Sequence, residues 1–247
     1  MPASLRQAAK AAVKRVLRRF GWSISRAGGT ADRATMEGAF RALKARGPRF
    51  TTVIDIGASD GRWSTHLMQH FPDCRYLLVE ANPLHEAALR QYCARHSNAQ
   101  FVLAAAGEAE GRIFFSRGGP FDGRASYQEQ PGGMQVPVVS IDAQVKSRGL
   151  EGPYLLKFDT HGFEVPILKG ASETLAAAEV IIMECYNFRI APECLTFDEM
   201  CRYVGERGFR CIDLVEPLYR PHDDAFWQMD LVFVRRTRPE FAYTRYR

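Results

Sequence analysis

Strand-like and helix-like segments alternate along this chain from residue 52 to residue 235. Short apolar runs with many β-branched residues are followed by longer segments whose apolar residues recur at helical spacing. Strands that alternate with helices form a mostly parallel sheet with right-handed crossovers. We therefore predict an α/β fold with a doubly wound, mostly parallel sheet and helices on both faces. The predicted strands are 52–57, 75–80, 100–105, 112–116, 135–141, 154–159, 180–185, 209–215 and 229–235, and the helices between them are 61–71, 83–96, 164–177 and 197–207.

The 247 residues divide into three predicted parts. Residues 1–49 form an N-terminal helical extension, in which a short helix over 36–44 ends at Gly47 and the proline after it. Residues 50–236 form the main domain, which is long enough to bury a sizeable core. Residues 237–247 form a basic C-terminal tail.

The excess of basic residues is concentrated at the N-terminus. Residues 1–31 contain seven of the 33 basic residues and no acidic one, so the remaining 26 basic residues are matched by 28 acidic residues. A nucleic-acid-binding fold carries its basic excess on the fold itself, so we expect no nucleic-acid partner. Between Leu5 and Phe20, apolar residues recur at helical spacing opposite a basic arc. This pattern predicts an amphipathic helix that contacts an anionic membrane; the alternative is that its apolar side packs on the domain.

The sequence is typical of a cytoplasmic protein. No apolar run reaches the roughly eighteen residues of a membrane helix, and the basic residues within 1–20 interrupt the apolar core that a signal peptide needs. The six cysteines include no Cys-x-x-Cys pair, a pattern that favours reduced thiols over disulfides or zinc ligands. We predict a cytoplasmic location, with peripheral attachment to the inner membrane surface if the amphipathic helix binds lipid.

The segment from Val53 to Gly61 predicts an apolar strand, a glycine turn and a helix start. This arrangement places backbone N–H groups at a helix N-terminus, where they bind ligands. Dinucleotide-binding turns have glycine at the position of Ser59, so that the backbone can approach a pyrophosphate. The turn is therefore predicted to hold a smaller ligand end, such as the carboxylate and ammonium of a methionine moiety. Its candidate residues are Asp55, Gly57, Ser59 and Gly61, and the alternative is a tight turn without a ligand.

An acidic residue at the end of the next strand supports a nucleoside ligand. Glu80 lies 19 residues after Gly61, where a carboxylate can accept hydrogen bonds from both ribose hydroxyls. Ala105 and Ala106, at the end of the third predicted strand, are expected to line the same ligand. Together these features predict a nucleoside-containing cofactor.

Three polar residues alternate at the end of the strand predicted over 154–159. Lys157, Asp159 and His161 lie on one face of that strand. Ligands bind beyond the carboxyl ends of the strands in open α/β sheets, so these side chains are expected to line the crevice that Gly57 begins. All three are candidate catalytic residues, and for Lys157 the alternative is a buried ion pair with Asp159 or with Glu184 on the following strand.

Loops after three strand ends are predicted to form the wall that binds the acceptor. They cover residues 117–134, 186–195 and 216–228, and they mix aromatic residues with Arg, Asn and Asp. Such a mixture suits a carbohydrate, whose ring faces stack on aromatic side chains while its hydroxyls need polar partners. The candidate acceptor-binding residues are Tyr127, Glu184, Tyr186, Asn187 and Trp227.

The chain resembles the FkbM family of S-adenosylmethionine-dependent methyltransferases between residue 50 and about residue 185. The resemblance implies a Rossmann-like class I methyltransferase fold and methylation of a hydroxyl on a sugar or a natural product. The matching motifs are Asp55-x-Gly57 with Gly61, Glu80, Val139-Ser140-Ile141-Asp142, Lys157-x-Asp159-x-x-Gly162-x-Glu164, Leu168-x-Gly170 and Ile181-Ile182-Met183-Glu184.

We therefore predict an S-adenosylmethionine-dependent O-methyltransferase that acts on a carbohydrate or small-molecule hydroxyl. His161 is the predicted general base, because a neutral imidazole is available near neutral pH. Asp159 orients it or holds the acceptor, and the alternative mechanism places a divalent metal such as Mg²⁺ at Asp159. Two other functions stay open from the sequence: an NAD-dependent oxidoreductase on the same architecture, and a non-enzymatic adaptor at a membrane surface.

Overall fold

A seven-stranded sheet forms the centre of the computed structural model, which describes residues 30–116, 123–129 and 131–246. A second sheet of four short strands covers part of one edge. The strands are β1 (Thr52–Ile56), β2 (Arg75–Glu80), β3 (Ala99–Leu103), β4 (Ala105–Ala106), β5 (Gly111–Ser116), β6 (Arg124–Ser126), β7 (Met134–Val139), β8 (Tyr154–Phe158), β9 (Ala178–Tyr186), β10 (Phe209–Tyr219) and β11 (Phe226–Arg235).

The strand order of the large sheet is β3-β2-β1-β8-β9-β11-β10. The first five strands in this order are parallel, whereas β11 runs antiparallel to both β9 and β10. The prediction of a doubly wound, mostly parallel sheet is therefore confirmed. The chain moves outward from β1 to β3 and then returns to the other side of β1 at β8. This reversal opens a crevice at the carboxyl ends of β1 and β8, where ligands of such folds bind.

Helices cover both faces of the sheet, and each face has its own apolar core. One core joins β-strand residues such as Val53 to Phe40 and Leu67, and the other joins Ile54 to Ile167 and Val204. Adjacent residues of β1 thus point to opposite faces, as the two-residue period of a strand requires. The helices are α1 (Thr30–Arg33), α2 (Met36–Arg46), α3 (Arg62–Met68), α4 (Glu86–Arg95), α5 (Ile141–Ser147), α6 (Glu164–Lys169), α7 (Ser172–Ala176) and α8 (Phe197–Glu206), with 3₁₀ turns at Pro83–His85 and Pro239–Phe241.

Several predicted element boundaries are wrong. Ile141 begins α5 instead of ending a strand, because the Ser140 side chain caps the helix by accepting the N–H of Ala143 at 3.3 Å. The helix predicted over 164–177 divides into α6 and α7 at Gly170, whose α-carbon lies against the chain of Gly107: an added Cβ would be 2.0 Å from that residue's carbonyl oxygen. Ala105 belongs to the small sheet and not to β3.

The short helix predicted over 36–44 is confirmed as α2, which extends to Arg46. Thr35 caps its start, and Gly47, with φ +63°, ends it in the left-handed conformation that glycine favours. Phe40 is buried against Trp63 at a ring distance of 5.4 Å, so this part of the N-terminal extension packs on the sheet layer.

Other predictions concern parts of the chain outside the described residues. The amphipathic helix from Leu5 to Phe20 and its membrane contact are among them, as are residues 117–122 and 130 of the first acceptor loop. Within the described ranges, every helix is too short or too polar to cross a bilayer.

Candidate active site

The end of β1 and the end of β8 touch at Gly57. Gly57 has φ +79°, and a Cβ there would lie 2.0 Å from the carbonyl oxygen of Asp159. The N–H of Asp159 donates to the carbonyl oxygen of Ile56 at 3.0 Å. Only glycine allows this contact, because the conformation and the close backbone approach both exclude a side chain. The turn therefore joins the two halves of the crevice.

Backbone N–H groups hold the Glu80 carboxylate at the end of β2. Ser59 N–H donates to Oε2 and Asn82 N–H donates to Oε1, both at 2.6 Å. Burial raises the pKa of Glu80, and these two hydrogen bonds act in the opposite direction. A carboxylate has about four acceptor sites, so Glu80 keeps capacity for two hydroxyl donors of a ligand.

Glu80 faces a cavity of about 250 Å³ that extends from β1 to β4 and reaches His161. The side chain of Asn82 lines this cavity and is 2% exposed. Its Oδ1 accepts the N–H of Leu84 at 3.1 Å, but its Nδ2 has no hydrogen-bond partner among the described residues. A buried donor without a partner costs free energy, so this cavity fits a polar ligand. Of the predicted cofactor-binding residues, Gly57, Ser59, Glu80, Ala105 and Ala106 line it.

Asp55 and Gly61 do not line this cavity. Asp55 is fully buried beneath the turn, where it accepts a hydrogen bond from Ser64 Oγ at 2.7 Å. Gly61 has φ +83° and packs against the ring of Tyr92, which a Cβ would approach to 2.9 Å. Both residues pack beneath the turn and do not line the cavity.

Lys157 forms the buried ion pair that was the alternative to a catalytic role. Its Nζ lies 3.2 Å from both Asp55 Oδ1 and Asp159 Oδ2, and it donates to the carbonyl oxygen of Gly57 at 3.1 Å. Burial by itself would lower the pKa of Lys157, but the two carboxylates outweigh it and raise the pKa. Lys157 therefore stays protonated and holds the ends of β1 and β8 together.

His161 lies at the centre of the crevice in a left-handed conformation, with φ +51°. Its Nδ1 is 3.3 Å from the hydroxyl of Tyr186 and 3.5 Å from Glu184 Oε2, and its Nε2 is 3.9 Å from Asp159 Oδ1. Such backbone conformations cost about 1–3 kcal/mol and persist where the surroundings enforce them. The imidazole is thus held between two carboxyl groups.

Two side chains hold the carboxyl group of Glu184. Tyr186 donates to Oε2, and Gln228 on β11 donates to Oε1. Burial and the charge of Asp159 raise the pKa of Glu184 to about 8. Burial also raises the pKa of Asp230, its neighbour on β11, to about 7. Both groups are therefore largely or partly protonated at neutral pH.

The loop that carries His161 is closed by Glu164. The buried carboxylate of Glu164 accepts the N–H of Gly162 at 2.9 Å and the hydroxyl of Thr160 at 3.1 Å through its Oε1. Gly162 has φ +97°, and its α-carbon packs against Ala191 and other side chains of the loop that follows β9. The motif from Lys157 to Glu164 thus contains the imidazole and the groups that fix its backbone.

A second, larger cavity of about 570 Å³ shares His161 and Glu184 with the first. Two more of the candidate acceptor-binding residues, Tyr186 and Trp227, line it. Asn187 instead joins β9 to β11, because its side chain donates to the carbonyl oxygen of Phe226 at 3.1 Å. Tyr127 is 58% exposed and lines neither cavity; its ring makes a tilted contact with that of Phe163, at a centroid distance of 5.3 Å.

Several site residues were missed in the sequence. Asn82 and His85 line the first cavity, and His85 Nε2 lies 3.3 Å from the Ser59 hydroxyl. The Asn-Pro pair after Glu80 indicates a turn, which is the feature that could have identified them. Phe188 and Gln228 line the second cavity. Both fall within loops predicted to bind the acceptor, but neither was named as a candidate, and Gln228 reaches the cavity because it pairs with Tyr186 between β11 and β9.

A metal ion has one candidate set of ligands in the described ranges. Oxygen or nitrogen atoms of Asp159, His161 and Glu184 lie within 4.8 Å of one another. Both oxygens of Glu184 already accept hydrogen bonds. Each oxygen keeps a second lone pair, so the donor set suits a metal with these hydrogen bonds in place, provided that the carboxyl group loses its proton.

Comparison with known proteins identifies a family and a fold. The Methyltransferase FkbM domain matches residues 55–211. Among solved structures, methyltransferase FkbM from Methylobacillus flagellatus KT is 18% identical, with a TM-score of 0.50 over 73% of this chain and 43% of that chain. Precorrin-6y C5,15-methyltransferase from Geobacter metallireducens GS-15 is 14% identical, with a TM-score of 0.40 over 81% of this chain and 87% of that chain. This chain thus spans less than half of the Methylobacillus protein, and no curated protein matches it.

Proposed function

The chain belongs to the FkbM methyltransferase family and has its Rossmann-like fold, and on that premise we propose that it is an S-adenosylmethionine-dependent O-methyltransferase. The proposed acceptor is a hydroxyl group of a carbohydrate, a glycoconjugate or a natural product. One observation carries this proposal: the cavity at Glu80 and the larger cavity at Trp227 meet at His161. A nucleoside cofactor and a hydroxyl acceptor would therefore meet at the imidazole.

The smaller cavity suits the adenosyl end of S-adenosylmethionine. Glu80 would accept hydrogen bonds from the ribose hydroxyls, since backbone N–H groups already fix its carboxylate in place. Asn82 Nδ2 would donate to a ligand acceptor, which would satisfy the one polar atom of this side chain that lacks a partner. Gly57 and Ser59 would face the methionine end.

When bound, the cofactor would supply a methyl group attached to a sulfonium sulfur. The acceptor oxygen would form a bond to the methyl carbon as the sulfur–carbon bond breaks, so that the sulfur would leave as a neutral thioether. His161 is the proposed base that takes the hydroxyl proton. Its Nδ1 faces the Tyr186 hydroxyl, which donates its own proton to Glu184 and can therefore accept one from Nδ1. This contact favours the tautomer with hydrogen on Nδ1 and leaves Nε2 as the proton acceptor. Asp159 would stabilise the imidazolium that results, because its carboxylate is 3.9 Å from Nε2.

A metal-assisted mechanism is the alternative. A divalent cation such as Mg²⁺ at Asp159, with His161 and Glu184 as further ligands, would lower the pKa of the acceptor hydroxyl. Chelation followed by addition of magnesium or manganese distinguishes the mechanisms: with His161 as base, turnover is expected to be unchanged by both treatments.

Calorimetry with S-adenosylhomocysteine tests the cofactor assignment. We expect Glu80→Ala to weaken binding at least tenfold, about 1.4 kcal/mol, since it removes the acceptor of two ribose hydroxyls. Glu86→Ala, at a half-buried position on α4 that pairs with Arg90 and does not line the cavity, is the matched control and should bind like the parent. Tight binding of NAD without binding of S-adenosylhomocysteine would instead support the oxidoreductase alternative.

The proposed location is the cytoplasm, with residues 1–31 as a peripheral contact to anionic membranes. Their seven basic residues support this, because each basic residue near an anionic surface contributes about 1 kcal/mol. Co-sedimentation of the full chain with anionic but not neutral vesicles is the expected result, and equal sedimentation with both would contradict it.

A further inference from the structure

The larger cavity has a chemical character that a neutral sugar does not require. Three arginines line it, Arg124, Arg189 and Arg220, beside the aromatic rings of Phe188 and Trp227. The other titratable groups of the lining are His161 and Glu184, so three guanidinium groups are present beside a single carboxyl group. The wall around the cavity is therefore electropositive.

The three arginines differ in how far their charges are balanced. Arg124, on β6, donates to the carbonyl oxygen of Ile190 at 2.8 Å and has no carboxylate partner among the described residues. Arg189 pairs with Glu199. Arg220 pairs with Asp223 through Nε and Nη2, at 2.7 and 2.6 Å. The uncompensated charge of the cavity thus lies on Arg124.

Arg220 is fixed in position by an aromatic ring. Its guanidinium lies 4.2 Å from the centroid of Phe188, which itself stacks on Trp227 with a ring distance of 5.3 Å. The bidentate pair with Asp223 leaves Nη1 of Arg220 without a hydrogen bond in the part of the chain that the structure describes. A planar guanidinium held in this way is suited to bind a carboxylate or a phosphate.

We propose that the acceptor is an anionic glycan unit, whose carboxylate or phosphate group binds Arg124 and Arg220 while its reacting hydroxyl faces His161. This inference rests on the proposed function. The sugar ring would contact the half-buried face of Trp227, and the anionic group would balance the charge of Arg124. A neutral sugar would leave that charge unpaired at the wall of the cavity.

Titration of the full chain with three small probes tests this inference. Glucuronic acid carries the carboxylate, glucose 6-phosphate carries the phosphate, and glucose is the neutral control. Trp227 fluorescence reports occupancy, with Trp227→Phe as the variant that should remove the change. We expect one or both anionic probes to bind at least tenfold more tightly than glucose, and the tighter of the two identifies the anionic group.

Variants at the arginines test the assignment of residues. Arg124→Gln is expected to abolish the tenfold preference and Arg124→Lys to retain part of it, whereas Arg112→Gln on β5 should leave it unchanged. Asp223→Asn should strengthen binding of the anionic probe two- to threefold, because it frees Arg220.

Equal binding of glucose and both anionic probes, no saturable binding of either anionic probe, or an unchanged preference in Arg124→Gln would overturn the inference. Calorimetry with S-adenosylhomocysteine separates this result from the proposed function, because that affinity should not depend on Arg124.

Discussion

On the β1–β2 side of the crevice, backbone N–H groups hold the important carboxylate, whereas on the β8–β9 side other side chains do so. Glu80 is bound by the N–H groups of Ser59 and Asn82. Glu184 is bound by Tyr186 and Gln228, and the imidazole of His161 lies 3.5 Å from the same carboxyl group. A site held by the backbone depends on the turn that presents it. A site held by side chains depends on protonation and on which strands pair, so the two sides should respond differently to mutation.

The largest expected effect is at His161. His161→Ala should lower turnover about 10²–10⁴-fold, the usual contribution of a general base, while S-adenosylhomocysteine affinity changes little. The measurement is steady-state turnover with an accepted substrate beside calorimetry of the same variant. His96→Ala, after α4 and outside the cavities that contain site residues, is the control. A variant that keeps turnover within a factor of three would show that another group takes the proton.

Substitution of Gly57 should destabilise the fold where the two sides of the crevice meet. Gly57→Ala would place a Cβ 2.0 Å from the Asp159 carbonyl oxygen at φ +79°, so we expect the unfolding free energy to fall by at least about 2 kcal/mol. The control is Gly132→Ala, since Gly132 has φ +72° but no atom within 4 Å of an added Cβ. Urea denaturation of both variants measures the difference. Equal losses would mean that conformation alone, and not the contact with β8, matters at Gly57.

A pH dependence of stability is expected from the β8–β9 side. The pKa of Glu184 is about 8 in the fold, well above its ordinary value, because of burial and the charge of Asp159. Between those two values the unfolded chain has lost this proton and the folded chain retains it. Stability therefore falls as pH rises through this window, by up to about 1.4 kcal/mol per pH unit.

Glu184→Gln should remove this contribution. We expect the unfolding free energy of the variant to decline less between pH 5 and pH 8 than that of the parent, as measured by urea denaturation at several pH values. Glu151→Gln, at an exposed position, should keep the slope of the parent. Parallel pH profiles of parent and Glu184→Gln would mean that Glu184 is ionised in the fold.

Local patterns in the sequence predict much of the fold. The strand predicted over 75–80 coincides with β2, and the short helix over 36–44 lies within α2. Ile141 was wrongly assigned to the strand predicted over 135–141. A short apolar run has no hydrophobic periodicity that distinguishes the end of a strand from the start of a helix. Ser140 could have resolved it, since serine favours the N-cap position.

Spacing along the chain also identifies half of the candidate site. Gly57 and His161 follow strands and Glu80 ends one, and parallel strands present their carboxyl ends at one edge. The sequence therefore determined the α/β architecture, the edge at which the site lies and the family. The physical reason is that strand period, turn residues and crossover handedness act over a few neighbouring residues.

Only the tertiary structure decided how the side chains at that edge are used. Lys157 forms ion pairs with Asp55 and Asp159 because β1 and β8 lie side by side, and Asp55 is 102 positions from Lys157 in the sequence. Gln228 reaches Glu184 because β11 inserts beside β9. Hydrogen bonds and ion pairs of this kind depend on distances of about 3 Å between remote segments. No local pattern records such distances, so burial, protonation and the arginine-lined cavity follow from the packing of the whole sheet.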